Sequence, residues 1–295
     1  MEFRVMNYFL TVAREESISR AAEALHVTQP NLSRQMQNLE QEIGKPLFVR
    51  GNRRTSLTAA GELLKKRAEE ICELYARMQA ELVVPDDRVA GEVCIAGGES
   101  HAVRRICRAA TQVREANPDV TFHFYSEDTN AALARLKKGL IDFAIVIGDG
   151  DLTDCEAITL PEREVWGALV REGDPLAQKP FATADALAER ELLCSRHAMT
   201  DSAITAWMGD RLARLRVAAT YNLLYNASLL VRENAGVAIG LDGLVHTGEG
   251  SGLRFVPLSP AVTANVRLAR KKDRQLSKAA RLFLRALEGG LSLPL

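Results

Sequence analysis

Leu32, Met36, Leu39 and Ile43 recur at intervals of four, three and four, which predicts one apolar stripe along a single helix. Thr28 is placed to cap that helix, Pro30 fits a first turn that needs no intrahelical N–H, and Gly44 supplies a stop. Burying the stripe turns Gln29, Asn31, Ser33, Arg34, Gln35 and Asn38 outward. No Asp or Glu stands between Thr28 and Leu39. Arginine forks onto guanine O6 and N7, and Gln or Asn pairs with adenine N6 and N7. An outward face of these residues, with no carboxylate to repel phosphates, therefore points to base reading by the first turns of the helix.

The neighbouring segments fit the same reading. Phe3, Met6, Phe9, Leu10 and Ala13 predict an amphipathic helix ending near Ser17, and Ser19 is the expected cap of a short helix over Arg20–Leu25. After Gly44, Leu47 and Val49 alternate with Phe48 and Arg50, Gly51-Asn52 signals a turn, and a second run ends at Leu57. This predicts a two-stranded hairpin with Arg50, Arg53 and Arg54 at its tip, in reach of phosphates or a minor groove. Net charge over the whole chain is zero, yet residues 1–67 hold 11 bases against 7 acids. A basic head on a mildly acidic body implies a polyanionic partner for the head alone.

Residues 1–66 resemble the winged helix-turn-helix of the LysR-type transcriptional regulators. The resemblance rests on Phe9-Leu10-Thr11-Val12-Ala13, on the run from Ser19 to Gln35, on Leu39-Glu40-Gln41-Glu42-Ile43-Gly44, on Leu47-Phe48-Val49-Arg50 and on Leu57-Thr58-Ala59-Ala60-Gly61. It implies that Gln29, Pro30, Ser33, Arg34 and Arg53 meet double-stranded DNA, with Thr28, Asn31, Asn38, Arg50 and Arg54 beside them. Position 31, often small and apolar in the family, is Asn here.

Thr58 is the expected cap of a further helix that runs to about Val83, before Pro85-Asp86-Asp87. Ala60, Leu64, Ile71, Tyr75, Met78 and Leu82 lie near one seam, close to a heptad rhythm interrupted at Arg67. A rod of that length with one apolar side predicts a partner helix. The resemblance implies an antiparallel pair, hence a homodimer, and favours a homotetramer. From Gly91 the chain changes to strands alternating with helices: strands near 92–96, 120–124 and 143–147, a helix from Ser100 to Ala116, and a helix over 130–140. A second set follows, with strands at 165–170, 192–195, 217–220 and 237–241 and helices at 185–188, 201–212 and 223–234. A strand at 266–269 and a helix at 277–287 return to the first set. The order predicts parallel sheets with right-handed crossovers.

The expected fold class is thus α/β, with an all-α-rich N-terminal winged helix-turn-helix over 1–58, a long linker helix over 59–88 and an effector domain over 89–295. Gly139–Ile145 and Asn234–Gly240 match recurrent stretches of the family's effector domain, itself similar to periplasmic binding proteins. Two lobes are expected, about 91–160 with 265–295 and about 161–264. Small-molecule ligands bind beyond the carboxyl ends of strands in such sheets. The resemblance implies contacts from Ser100, with His101 beside it, and from Thr129, Gly148 and Ser195. Arg196 and His197 stand where they could hold a carboxylate. A helix starting at Ser100 would favour an anionic metabolite.

Other classes find little support. No stretch approaches the ~20 apolar residues of a membrane span, and the N-terminus does not read as a signal peptide. Five cysteines without a CxxC fit reduced thiols in a cytoplasm. Cys94, Cys107 and Cys194 are expected to be buried and inert. Gly98-Glu99-Ser100-His101-Ala102 is not GxSxG, and no dinucleotide or P-loop motif occurs, so neither an enzyme nor a cofactor is expected. His101, His123, His197 and His246 lack metal-ligand spacing with cysteine. A rival reading is a stand-alone binding or transport protein with an oligomerising helical head.

Overall fold

A computed structural model describes residues 1–51, 54–83, 88–195, 198–199 and 201–290, and only the backbone of Arg50, Glu81 and Val83. The chain forms two compact units, Met1–Val83 and Val84–Leu295.

In the first unit α1 (Phe3–Glu15), α2 (Ile18–Ala24) and α3 (Gln29–Ile43) precede the hairpin strands β1 (Phe48–Arg50) and β2 (Thr55–Leu57) and the 25-residue α4 (Ala59–Val83). Phe9, Val12, Leu32, Met36, Leu39 and Leu47 make its core. Truncating a buried Leu or Met of this kind costs about 2–5 kcal/mol. Ile43 departs from the expected stripe: it is 38% exposed, because it sits on the last turn, past the packing of α1 against α3. The cap of α2 is Ser17, whose hydroxyl accepts from Arg20 N–H, and not Ser19, which lies inside the helix. Gly44 ends α3 with φ +73°, a left-handed conformation that a side chain would strain. Thr58 caps α4, its Oγ1 accepting from Gly61 N–H at 3.0 Å.

The second unit contains β3 (Gly91–Gly97), α5 (Val103–Ala116), β4 (Val120–Ser126), α6 (Thr129–Lys138), β5 (Phe143–Ile147), β6 (Cys155–Arg171), β7 (Ala182–Thr183), α7 (Ala184–Ala188), β8 (Glu191–Ser195), α8 (Ser202–Met208), β9 (Arg216–Tyr221), α9 (Leu224–Arg232), β10 (Val237–Leu241), β11 (Leu253–Ser259), β12 (Thr263–Lys271) and α10 (Lys278–Gly290). The first lobe's strands run in the order β4-β3-β5-β12-β6 and the second's in the order β6-β10-β8-β9, with β11 also paired to β6 and β7 to β11.

β3, β4 and β5 are parallel, as are β8, β9 and β10. The sheets are nevertheless mixed, which corrects the all-parallel expectation. β12 pairs antiparallel to β5, and β6 antiparallel to β12, β10 and β11. One 17-residue strand, β6, thus serves both lobes: Cys155–Val165 pairs with β12, and Trp166–Leu169 with β10. Its first half carries Glu156, Glu162 and Glu164, and so lacks the apolar run that marks Val165–Val170. The helix foreseen from Ser100 starts at Val103, and the one foreseen over 201–212 breaks at Gly209 into a 3-10 turn over Gly209–Arg214.

Helices cover both faces of each sheet. In the first lobe, Phe283 of α10 packs edge-on to Phe143 and Phe122, at 5.1 and 5.4 Å between ring centres. Leu133 and Leu136 of α6 cover the other face with Ala144 and Val146. In the second, Leu224 and Val231 of α9 pack on Leu169 and Leu193. An ion pair ties α5 to β6: Arg105 donates to Glu162 at 2.7 Å, the two side chains 7% and 15% exposed.

Candidate functional site

On α3 the buried stripe leaves Gln29, Pro30, Asn31, Arg34 and Asn38 exposed and Ser33 and Gln35 half-buried. Thr28 is exposed at the cap position, though its side chain makes no cap hydrogen bond. The predicted face is therefore assembled on one helix surface and open to a partner. Glu40, the first carboxylate along α3, is turned to a structural task. Its Oε1 accepts from Leu47 N–H at 2.8 Å and from Phe48 N–H at 3.1 Å, fixing the start of the hairpin to the end of α3. Sequence reasoning missed this residue, because Glu40 and Glu42 both stand near the end of α3 and only the chain path after Gly44 shows which of them caps Leu47 and Phe48. At the hairpin, Arg54 is exposed and pairs with Glu16 at 3.3 Å. Arg53 and the side chain of Arg50 lie outside the described residues.

Along α4, Ala60 and Leu64 pack into the first unit's own core, whereas Ile71, Tyr75, Met78 and Leu82 are exposed. The predicted seam is thus divided: its first turns belong to the unit, and its later turns present an uncovered apolar edge. Phe3 of α1 stacks on Tyr75 with ring centres 4.0 Å apart.

In the second unit a cavity of about 70 Å³ opens between the lobes, at the carboxyl ends of the strands. Ile147, Trp166, Leu224, Leu241 and Leu244 form its apolar lining. Thr129 and Ser195 lie on it. Thr129 Oγ1 accepts from Ile147 N–H at 3.4 Å, and Ser195 Oγ from Ala198 N–H at 2.9 Å, which leaves the Ser195 proton to donate. Tyr221 borders the cavity and donates its hydroxyl to the Ile239 carbonyl. Burial pushes its phenol above the ordinary range.

Three expected contacts are elsewhere. Ser100 is buried off the cavity lining, its hydroxyl without a partner among the described residues. His101 is exposed and lies against Gly243, where an added methyl would fall 2.1 Å from its Nε2. Gly148 has its backbone committed, donating to the Asn265 carbonyl at 2.9 Å and accepting from Arg267 at 2.6 Å. The turn before α5 already holds a negative charge of the protein itself: Ala102 N–H donates to Glu164, a carboxylate 4% exposed, at 3.1 Å. That removes the reason to expect an exogenous anion there. Arg196 and His197 lie outside the described residues.

Burial raises the Cys194 thiol to about 11, which makes it a poor nucleophile. Cys107 departs from the expected burial and is exposed on α5. No cluster of three metal-ligating side chains occurs among the described residues, and no helix there is long and apolar enough to cross a membrane.

Comparison with known proteins places this geometry in context. Residues 3–62 match the bacterial regulatory helix-turn-helix proteins of the lysR family, and residues 86–292 match the LysR substrate binding domain. The HTH-type transcriptional regulator BsdA of Bacillus subtilis is 34% identical over 49% of this chain and 50% of its own length. The chain thus spans about half of that relative. The uncharacterized HTH-type transcriptional regulator YfeR of Shigella flexneri is 28% identical over 93% of this chain and 89% of its own. Among solved structures, full-length CbnR in complex with its target DNA superposes with a TM-score of 0.76 at 21% identity, covering 98% of this chain and 99% of that one. HinK, a LysR family transcriptional regulator from Pseudomonas aeruginosa, gives 0.56 at 21% identity, over 98% of each chain. At such identities the likeness is one of fold.

Proposed function

Because the chain belongs to the LysR family of bacterial regulatory helix-turn-helix proteins, DNA-binding regulators with an effector domain, we propose the following residue-level account of its action. Gln29, Asn31, Arg34 and Asn38 enter a major groove and read base edges, with Thr28, Pro30 and Ser33 against the backbone and the hairpin arginines on flanking phosphates. The observation that carries this reading is the exposure of that amide- and guanidinium-bearing face over buried Leu32, Met36 and Leu39.

The edge of Ile71, Tyr75, Met78 and Leu82 pairs α4 with the same helix of a second copy. At 1.5 Å per residue the rod is about 38 Å long, and two-fold symmetry then calls for a near-palindromic site. A small effector enters the cavity between the lobes. Since β6 and β12 run together through the junction, a ligand touching both lobes changes the angle between them and biases the assembly on DNA. The protein acts in the cytoplasm, where its DNA is, and we assign it no reaction. Membership of a helix-turn-helix family sets aside the transport reading.

A mobility shift of the full-length protein on genomic fragments tests the account. It predicts a subset of fragments bound selectively, with affinity falling steeply as salt rises. Uniform binding of all fragments, or none, contradicts it.

A further inference from the structure

Two contacts cross the cleft between the lobes, at the ends of different strands. At the first, the Asp149 carboxylate, two residues beyond Ile147 of β5, accepts from Ser202 N–H at 3.2 Å. Ser202 opens α8, and the Asp201 cap is engaged with Ala203 and Ile204 N–H. The backbone donor of the first helical residue is thus met from the opposite lobe. At the second, His101 beyond β3 fills the space beside Gly243, where a Cβ would stand 2.1 Å from its Nε2. Gly243 lies between Leu241 and Leu244 of the cavity lining, and its φ of +72° suits glycine. β6 and β12 join the lobes through the backbone, whereas these two contacts are made by groups that can part.

We propose that the Asp149–Ser202 hydrogen bond is a latch that draws the two lobes of the effector domain together, with His101 against Gly243 as a second point of contact. This rests on the reading of the cavity as the effector site. Both Asp149 and Ser202 are exposed, so the latch is weak enough to open. Losing one exposed hydrogen bond to a carboxylate shifts an opening equilibrium by roughly three- to tenfold. Neither residue lies on the cavity lining. Asp149 is therefore a positioning residue: an effector touching both lobes acts on an equilibrium that this latch already biases.

Trp166, 3% exposed and on the cavity lining, reports opening by acrylamide quenching in full-length protein carrying Trp207→Phe, which leaves it the one tryptophan. Asp149→Ala removes the acceptor. Ser202→Pro removes the donor and keeps the helix, since proline is at home in the first helical position. Asp201 before it, at φ −68° and ψ 126°, has a backbone that a following proline accepts. The proposal predicts that each substitution raises the quenching constant at least twofold and that their combination goes no further than the larger single effect. Asp149→Asn, which keeps a carbonyl acceptor, should stay close to the parent. An unchanged constant in either single variant, additive effects in the combination, or an equal rise in Asp149→Asn would each overturn it. A mobility shift with the wild-type protein separates the two levels. DNA binding without a quenching change removes only the latch, whereas the predicted quenching without DNA binding keeps the latch and removes the regulator account.

Discussion

Replacing Gly61 by Ala sets helix propensity against packing. In an isolated helix the change is favourable by about 1 kcal/mol. Here, in the first turns of α4, the new methyl would fall 2.2 Å from the Leu47 carbonyl oxygen and 3.0 Å from Leu57 Cδ2. Cβ atoms do not approach closer than 3.0 Å, so the backbone must yield by ~0.8 Å. That carbonyl is fixed, since it accepts from Thr58 N–H at 2.9 Å at the root of the hairpin. Overpacking costs about 1–3 kcal/mol and the strained hydrogen bond about 1 more, so after the propensity gain the net loss is about 1–3 kcal/mol. For a unit of this size that lowers the melting temperature by roughly 5–20 °C. Both tryptophans, Trp166 and Trp207, lie in the second unit, so fluorescence follows that unit while circular dichroism at 222 nm also follows the helical first one. The variant should show an earlier dichroism phase with an unchanged fluorescence transition. Gly289→Ala, in α10 with nothing within 4 Å of its added methyl, is the control and should not lower stability. A Gly61→Ala protein that melts at or above the wild-type temperature refutes the packing argument.

Arg105→Ala should cost about 3–5 kcal/mol by urea denaturation, because it leaves the half-buried Glu162 carboxylate without its cation, while Arg105→Met with Glu162→Gln should recover part of that loss. Equal stability of the single and double variants would refute a buried-charge cause. Cys194 stays protonated in the folded protein up to about 11, but ionises near pH 8.5 when unfolded. Its contribution is thus intact below the unfolded value and lost as pH rises toward the folded one, a fall of up to about 3 kcal/mol over that window. Cys194→Ala should flatten this alkaline limb, and an unchanged limb would show that other groups cause it.

The sequence carried different parts of the fold with different clarity. Helix α3 was legible because three independent signals coincide there: the apolar stripe, Pro30 in the first turn and Gly44 at the end. Helix α2 was read two residues late because Ser17 and Ser19 are equal as chemistry, and only the chain path chooses between them. The lobe strands showed as short apolar runs where both faces are covered, as in Phe143–Ile147. β6 hid its first half because strands crossing between lobes carry ionic partners such as Glu162 and Glu164, and β11 interrupts its alternation with Pro257. In the cleft, Thr129 at the start of α6 and Ser195 at the end of β8 were indicated by the family resemblance, and both lie on the lining. The role of Glu164 could not be read locally, since it meets Ala102 from 62 residues away. Glu99 and Asp128, which also lie on the cavity lining, have the same character: they share a surface only because the β3–α5–β4 crossover brings the ends of two strands together.

Binding of a randomised site library by wild-type protein and by Arg34→Ala, with base preferences read by sequencing, most directly tests the claim that the outward face of α3 reads DNA. The account predicts that the variant loses roughly 1–3 kcal/mol of discrimination at one base pair of each half-site while its other preferences persist. Identical preference profiles for the two proteins would contradict it.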